Sequence, residues 1–147
     1  MTEAATTQTP TLTPMLAYED ANAAIAFLSE AFGFTETMRL VGDDGRIGHA
    51  ELSYGNGKIM LVDFGRGYQS PRHHAESCAA ARTWLDHPYI VNGVYVVVDD
   101  VAAHFERAKA AGATLLSEVE ETPHGTLYRA ADPEGQRWMF NQPPAPS

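Results

Sequence analysis

The sequence predicts an α+β fold of two tandem βαβββ modules forming an open, cup-shaped mixed sheet, and three observations predict it. Two amphipathic helical segments, at 20–33 and 100–112, each start at an aspartate and stop at a glycine. Each follows a short apolar strand-like run, and each precedes three further runs separated by glycine-containing turns. The order β-α-β-β-β thus occurs twice, with landmarks at Asp20, Phe27 and Gly33 and again at Asp100, Phe105 and Gly112. A four-stranded sheet with a helix on one side keeps one bare side. Two such sheets in tandem are expected to turn their bare sides toward a shared trough, where a ligand would sit.

The elements follow in order. Leu12 to Tyr18 is a short apolar strand entered through Pro14, which has no N–H to give a ladder and so suits an edge or a strand start. Ala21, Ala24, Ile25, Leu28, Ala31 and Phe32 recur at helical spacing and predict the first helix. Strands are expected at Phe34–Val41, Ile47–Tyr54 and Lys58–Asp63, joined by the turns at 42–45 and 55–57. An alanine-rich run from Ala75 to Leu85 predicts one connecting helix. The second half offers a strand over Pro88–Val98, a helix over 101–112, and strands at Ala113–Glu121, Thr126–Ala131 and Gln136–Gln142. Residues 1–10 read as a loose tail, 11–63 as the first module, 64–87 as a linker, 88–142 as the second module and 143–147 as a closing tail.

Composition narrows the functional classes. The 147 residues suffice for one core, and 44% hydrophobic with 20% charged residues is a globular balance. Ten Lys+Arg against 19 Asp+Glu give a formal charge of −9, which repels phosphate backbones and anionic headgroups, so neither nucleic acid nor a membrane is an expected partner. The start of the chain has no basic segment followed by an apolar run, and no window is apolar enough to span a bilayer, which predicts a cytoplasmic location. The single cysteine, Cys78, agrees with a reducing compartment.

Three stretches carry a resemblance: ThrProMetLeuAlaTyrGluAsp with the helix after it (13–33), ValValValAspAspValAlaAlaHisPhe (96–105), and AlaAspProGluGlyGlnArgTrpMetPhe (131–140). Over residues 12–142 the chain resembles the vicinal oxygen chelate superfamily, which includes glyoxalase I, bleomycin-resistance proteins, extradiol dioxygenases and fosfomycin-resistance enzymes. The resemblance implies paired βαβββ modules, a homodimer, and a cup that in the metalloenzymes holds a divalent cation through four strand positions. Laid over this chain, those positions fall on Thr13, Met60, Gly93 and Met139. None is an imidazole or carboxylate, the donors that zinc, iron, nickel or manganese require. No metal and no other cofactor is therefore expected, and the resemblance points to the bleomycin-resistance branch, where a small, partly apolar or cationic organic molecule is sequestered.

The alternative is an enzyme of glyoxalase, lyase or dioxygenase type, built on a displaced divalent-metal or acid/base site. Its candidates are His49 and Glu51, two apart in a strand and so on one face, with His74 from the linker. The plainer account of the pair is a solvated or neighbour-satisfied surface couple. His74 and Cys78, four apart in the expected linker helix, form a weak thiol–imidazole candidate, with structural packing as the plainer account. His73, His87, His104 and His124 read as solvated surface, and the glycines at 65 and 67 as a flexible turn without a phosphate-binding context. The expected ligand-lining set is Met15, Met60, Val62, Tyr95, Val97, Arg137 and Met139. Thioethers and a tyrosine suit an organic ring, and Arg137 can orient one carboxylate or phosphate. Phe64, Tyr68 and Trp84 are positioned to close over the mouth.

Overall fold

In the computed structural model, residues 10–65, 67–87 and 92–146 are described. The first half runs β1 (Met15–Tyr18), α1 (Ala21–Phe32), β2 (Thr35–Val41), β3 (Ile47–Tyr54) and β4 (Gly57–Asp63). Two short helices follow, α2 (Pro71–Ser77) and α3 (Ala79–Trp84). The second half runs β5 (Val94–Val97), α4 (Val101–Ala110), β6 (Thr114–Leu115), β7 (Glu120–Thr122), β8 (Gly125–Ala131) and β9 (Arg137–Gln142). The start of the expected strand at 88–91 and most of the expected tail, 1–9, lie outside the described residues. Among the described residues no helix is long and apolar enough to cross a membrane.

The duplication read from the sequence is present in the pairing. One sheet is ordered β1-β4-β3-β2 and the other β5-β9-β8-β6, with β7 also on β8. In each, the first strand pairs parallel with the last, Met15 opposite Met60 and Tyr95 opposite Met139. Both main helices begin at an aspartate whose side chain accepts a backbone N–H at 3.0 Å: Asp20 from Ala23, and Asp100 from Ala103. Gly33 ends α1 with φ +84°, a left-handed conformation that costs other residues energy.

Two expectations are corrected by local hydrogen bonding. The single linker helix is two helices, because Cys78 is extended (φ −133°, ψ 113°) and turns its Sγ to the Ala81 N–H as the cap of α3. The strand expected over 113–121 is split into β6 and β7. Between them the Ser117 hydroxyl accepts the Arg129 N–H and donates to the Glu118 carbonyl, replacing ladder bonds with side-chain ones.

The larger correction concerns how the halves meet. Instead of turning bare faces toward a common trough, the modules join by their helix-bearing sides, with α1 against α4 and one core shared between them. Phe32 of α1 is the wedge: its ring lies 5.6 Å from Trp138, 4.7 Å from Phe140 and 6.2 Å from His104. Phe34 packs on Trp138 at 5.4 Å from the other side. Such aromatic pairs add about 0.5–1.5 kcal/mol each beyond area burial, and a bare sheet face exposed to water offers nothing comparable. The sides turned away from this core leave Met15, Leu40, Tyr95 and Val97 exposed, whereas Leu127, Ala131, Arg137 and Asn141 on the outer side of β8 and β9 are buried.

His104, expected at the surface, is buried at the centre of this seam. Its Nε2–H donates to the Phe32 carbonyl (2.9 Å), which leaves Nδ1 to accept the Tyr128 hydroxyl (2.6 Å). Its place was legible, since Val101, His104, Phe105 and Ala108 form one helical stripe, all buried. Burial pushes the imidazole below its ordinary value, and the nearby Arg107 charge acts in the same direction. An unfolded histidine takes up a proton near pH 6.5 while the folded one resists, so this contribution is whole above that pH and is lost as the pH falls through the depressed folded value. The urea midpoint of the native chain should therefore drop between pH 7 and pH 5 by more than that of His104→Phe; equal slopes would contradict a neutral buried His104.

Candidate functional site

The turn at 132–135 is where the modules are latched, and the latch orients the candidate site. The buried Asp132 carboxylate accepts the Tyr18 hydroxyl (2.6 Å) and the Trp138 indole N–H (3.2 Å) on one oxygen. Its other oxygen accepts the Glu134 and Gln136 N–H groups. Desolvation raises the Asp132 pKa against the lowering effect of those four donors, and burial beside Asp132 holds the Tyr18 hydroxyl well above its ordinary value. Glu134 reaches across the seam and accepts the Glu19 and Asp20 N–H groups just before α1 (2.6 and 2.9 Å), and Glu19 in turn accepts the Ser70 N–H (3.0 Å). Gly135 has no side chain for a steric reason: a Cβ there would stand 2.9 Å from the Arg72 backbone nitrogen, where α2 packs on the turn. Strand β9 leaves this turn with Trp138 and Phe140 in the core and Arg137, Met139 and Asn141 on the opposite face.

Two outward faces result. On the first sheet the register aligns Met15, Met60, Glu51 and Met38 across four strands, with Ala17, Val62, His49 and Leu40 on the same side. This face is apolar and open, Met15 being 77% and Leu40 56% exposed. In its middle His49 Nε2 lies 2.9 Å from one Glu51 oxygen, and Lys58 Nζ lies 2.8 Å from the other. The hydrogen bonds from His49 and Lys58 hold the Glu51 carboxyl below its usual range. On the second sheet the corresponding face carries Tyr95 and Val97, each more than half exposed, with Met139 and Arg129 in register beside them.

Two concavities are associated with these faces. A hollow of about 240 Å³ on the second sheet is lined by Gly93, Val94, Tyr95, Leu116, Arg129, Arg137, Trp138 and Met139. A second, of about 350 Å³, lies between the edge strand β1 and the linker and includes Met15, Ala17, Tyr68, His74, Trp84 and Gln136. Burial of the Tyr68 phenol, with acidic neighbours, pushes its pKa up to about 12.

The expected lining set is therefore distributed. Tyr95, Arg137 and Met139 meet in the first hollow; Met15 belongs to the second; Met60 and Val62 lie on the open face of the first sheet; Val97 is exposed beside Tyr95. His49 and Glu51 do touch, but His74 is apart from them, its ring against Trp84 at 6.0 Å. His74 and Cys78 do not share a continuous helix, because the chain breaks at Cys78. Among the described residues no group of three or more His, Cys, Asp or Glu is arranged to hold a metal ion. Val94, Leu116, Arg129 and Trp138 were missed as lining residues. Arg129 faces Met139 across β8 and β9, so the alternation of 126–131 against 137–142 carried the signal.

The model of the Glyoxalase/Bleomycin resistance protein/Dioxygenase superfamily matches residues 11–140. An uncharacterized protein of Mycobacterium bovis is 33% identical over 135 residues, covering 91% of this chain and 84% of the relative. Among solved structures, TioX from Micromonospora sp. ML1 is 31% identical with a TM-score of 0.68, over 92% of this chain and all of TioX. TnmS3, an antibiotic binding protein from Streptomyces sp. CB03234, is 19% identical with a TM-score of 0.60, over 93% of this chain and 99% of TnmS3. FosX from Listeria monocytogenes, a fosfomycin resistance protein solved with Mn(II) and sulfate, is 14% identical with a TM-score of 0.62, over 93% and 92%. The last two likenesses are of fold alone.

The capping role of Cys78 separates it from chemistry. Cys78→Ser keeps an acceptor for the Ala81 N–H and should leave the urea midpoint unchanged or slightly raised, whereas Cys78→Ala should lower stability by about 0.5 kcal/mol or more. Equal loss in both variants would show that the thiol is needed for something other than the cap.

Proposed function

The chain belongs to the Glyoxalase/Bleomycin resistance protein/Dioxygenase superfamily, and from that premise we propose that it binds and sequesters a small, partly apolar organic molecule in a metal-free cup completed by a second copy of itself. The observation that carries this reading is the chemistry of the outward faces. Where metalloenzymes of the fold place donors, this chain has Thr13, Met60, Gly93 and Met139, and around them stand Met15, Met38, Val62, Tyr95 and Val97. Thioethers, a phenol and branched aliphatic groups favour an organic surface over a hard cation. The antibiotic binding protein TnmS3, of the same fold, is in keeping with such a role.

The reading of His49 and Glu51 as an acid/base pair is less well supported. Both Glu51 oxygens are already engaged, by His49 and by Lys58, and His74 is on another part of the surface. A carboxylate that accepts hydrogen bonds on both oxygens, one of them from an ammonium, is a weak base.

The exposed apolar patches support pairing of two copies. The side of the first sheet turned away from the helices leaves Met15, Met38 and Leu40 exposed, and on the second sheet Tyr95 and Val97 are more than half exposed. A two-fold axis that brings the first sheet of each chain to the second sheet of the other covers both exposed patches and closes two equivalent cups. Contiguous exposed apolar surface of this kind marks a contact or a binding site rather than ordinary surface.

Two measurements test the proposal. Light scattering at micromolar concentration should give the mass of two chains, and a mass of one would remove the completed cup. Nickel, zinc, manganese and iron should each leave the thermal midpoint of the native protein unmoved; stabilisation by several degrees at stoichiometric metal would overturn the metal-free reading.

A further inference from the structure

The hollow on the second sheet contains a buried charge with no ion-pair partner among the described residues. Arg137 is 6% exposed. A terminal nitrogen donates to the Leu85 carbonyl, but its Nε is buried and has no hydrogen-bond partner among the described residues. Among the described residues no carboxylate stands within ion-pair distance of it. Arg129 lines the same hollow; its Nε is also buried without a partner, although its terminal nitrogen lies 3.4 Å from Glu120. Buried charges in folded proteins are ordinarily paired, because desolvation is costly and an arginine cannot shed its proton. Burial lowers the Arg137 pKa, and Asp86 opposes that only through space.

The rest of the hollow is apolar: Val94, Tyr95, Leu116, Trp138 and Met139. Gly93 adds room, since a Cβ there would come no closer than 4.0 Å to its nearest neighbour, the Arg137 carbonyl. At about 240 Å³ the hollow suits a ring-sized fragment, below the range of whole drug-sized ligands. The formal charge of the chain is −9, so two arginines lining one otherwise apolar hollow run against the general trend of the molecule.

From these two arginines on one apolar hollow we infer that the ligand is an organic acid, and that its carboxylate is received by Arg137, with Arg129 beside it, while its ring packs on Tyr95 and Met139. The inference rests on the binding reading above and refines it, choosing an anionic ligand over the cationic one that net charge alone favours. A guanidinium presents donors in a planar fork that matches a carboxylate, and hydrogen bonds of that kind are stronger than neutral ones.

The test is a calorimetric titration of the full chain with three probes of one ring system: 2-naphthoate, 2-naphthamide and the 2-naphthylmethylammonium ion. Naphthoate should bind about tenfold or more tightly than the amide, and the ammonium ion most weakly. Arg137→Gln should bring naphthoate down to the level of the amide while leaving the amide within about threefold, and the unchanged amide serves as the check that the hollow is intact. Arg129→Gln should weaken naphthoate by a smaller factor, and it decides the matter if Arg137→Gln does not fold. Equal or tighter binding of the amide or the ammonium ion, or a naphthoate preference that survives loss of the guanidinium, overturns the anion assignment and leaves the cup reading standing. Absence of binding by all three probes overturns both.

Discussion

Everything about the placement of the candidate site depends on one packing choice, the burial of Phe32 between the two modules. Its ring meets Trp138, Phe140 and His104, so the helix-bearing side of the first sheet is satisfied by the helix-bearing side of the second. Once those sides are committed to each other, each sheet has only its outward face left for a ligand. Truncating Phe32 would remove large buried surface at the point where both halves of the core meet, a change of the kind that costs about 3–5 kcal/mol in a well-packed interior.

Polar groups at the seam are organised to make that choice unique. Asp132 is buried, yet both its oxygens accept two hydrogen bonds, from Tyr18, Trp138, Glu134 and Gln136. A half-satisfied carboxylate in this position would be strongly unfavourable, so the Tyr18 of one module and the turn of the other must come together in one register. Glu134 then reaches the backbone ahead of α1, and Glu19 hands the connection on to Ser70 at the start of α2. The linker is thus tied to the seam, and with it Trp84 and Leu85. Leu85 is the residue whose carbonyl engages Arg137, so the latch and the ligand-facing hollow are mechanically continuous.

The contrast between the two outward faces has chemical meaning. On the first sheet Lys58 neutralises Glu51 locally, with His49 hydrogen-bonded to the same carboxylate, and the surroundings are methionine and leucine. On the second sheet positive charge is left over, in Arg137 and in part of Arg129, within an apolar lining. A cup assembled from one face of each type would present a soft apolar wall opposite a wall that carries two arginines. Orientation of a ligand would then come from the second sheet, and most of the contact area from both.

Much of this was legible in the residues themselves. Helical spacing, the aspartate caps, the glycine stops and the twofold βαβββ order depend on neighbours within about ten positions, and local rules read them well. For the same reason the AspProGluGly turn and the face shared by His49 and Glu51 could be named in advance. The elements that were misread, the broken linker helix and the divided strand, are those where one side chain, Cys78 or Ser117, captured a backbone group that periodicity assigns to the ladder. What only the tertiary structure decided is which sides of the two modules meet, and hence that Met60 and Tyr95 stand on outward faces that one chain does not bring together. Either arrangement satisfies the same local patterns; the outcome is set by contacts between residues about a hundred positions apart, such as Phe32 with Trp138 and Tyr18 with Asp132, whose energies no local pattern contains.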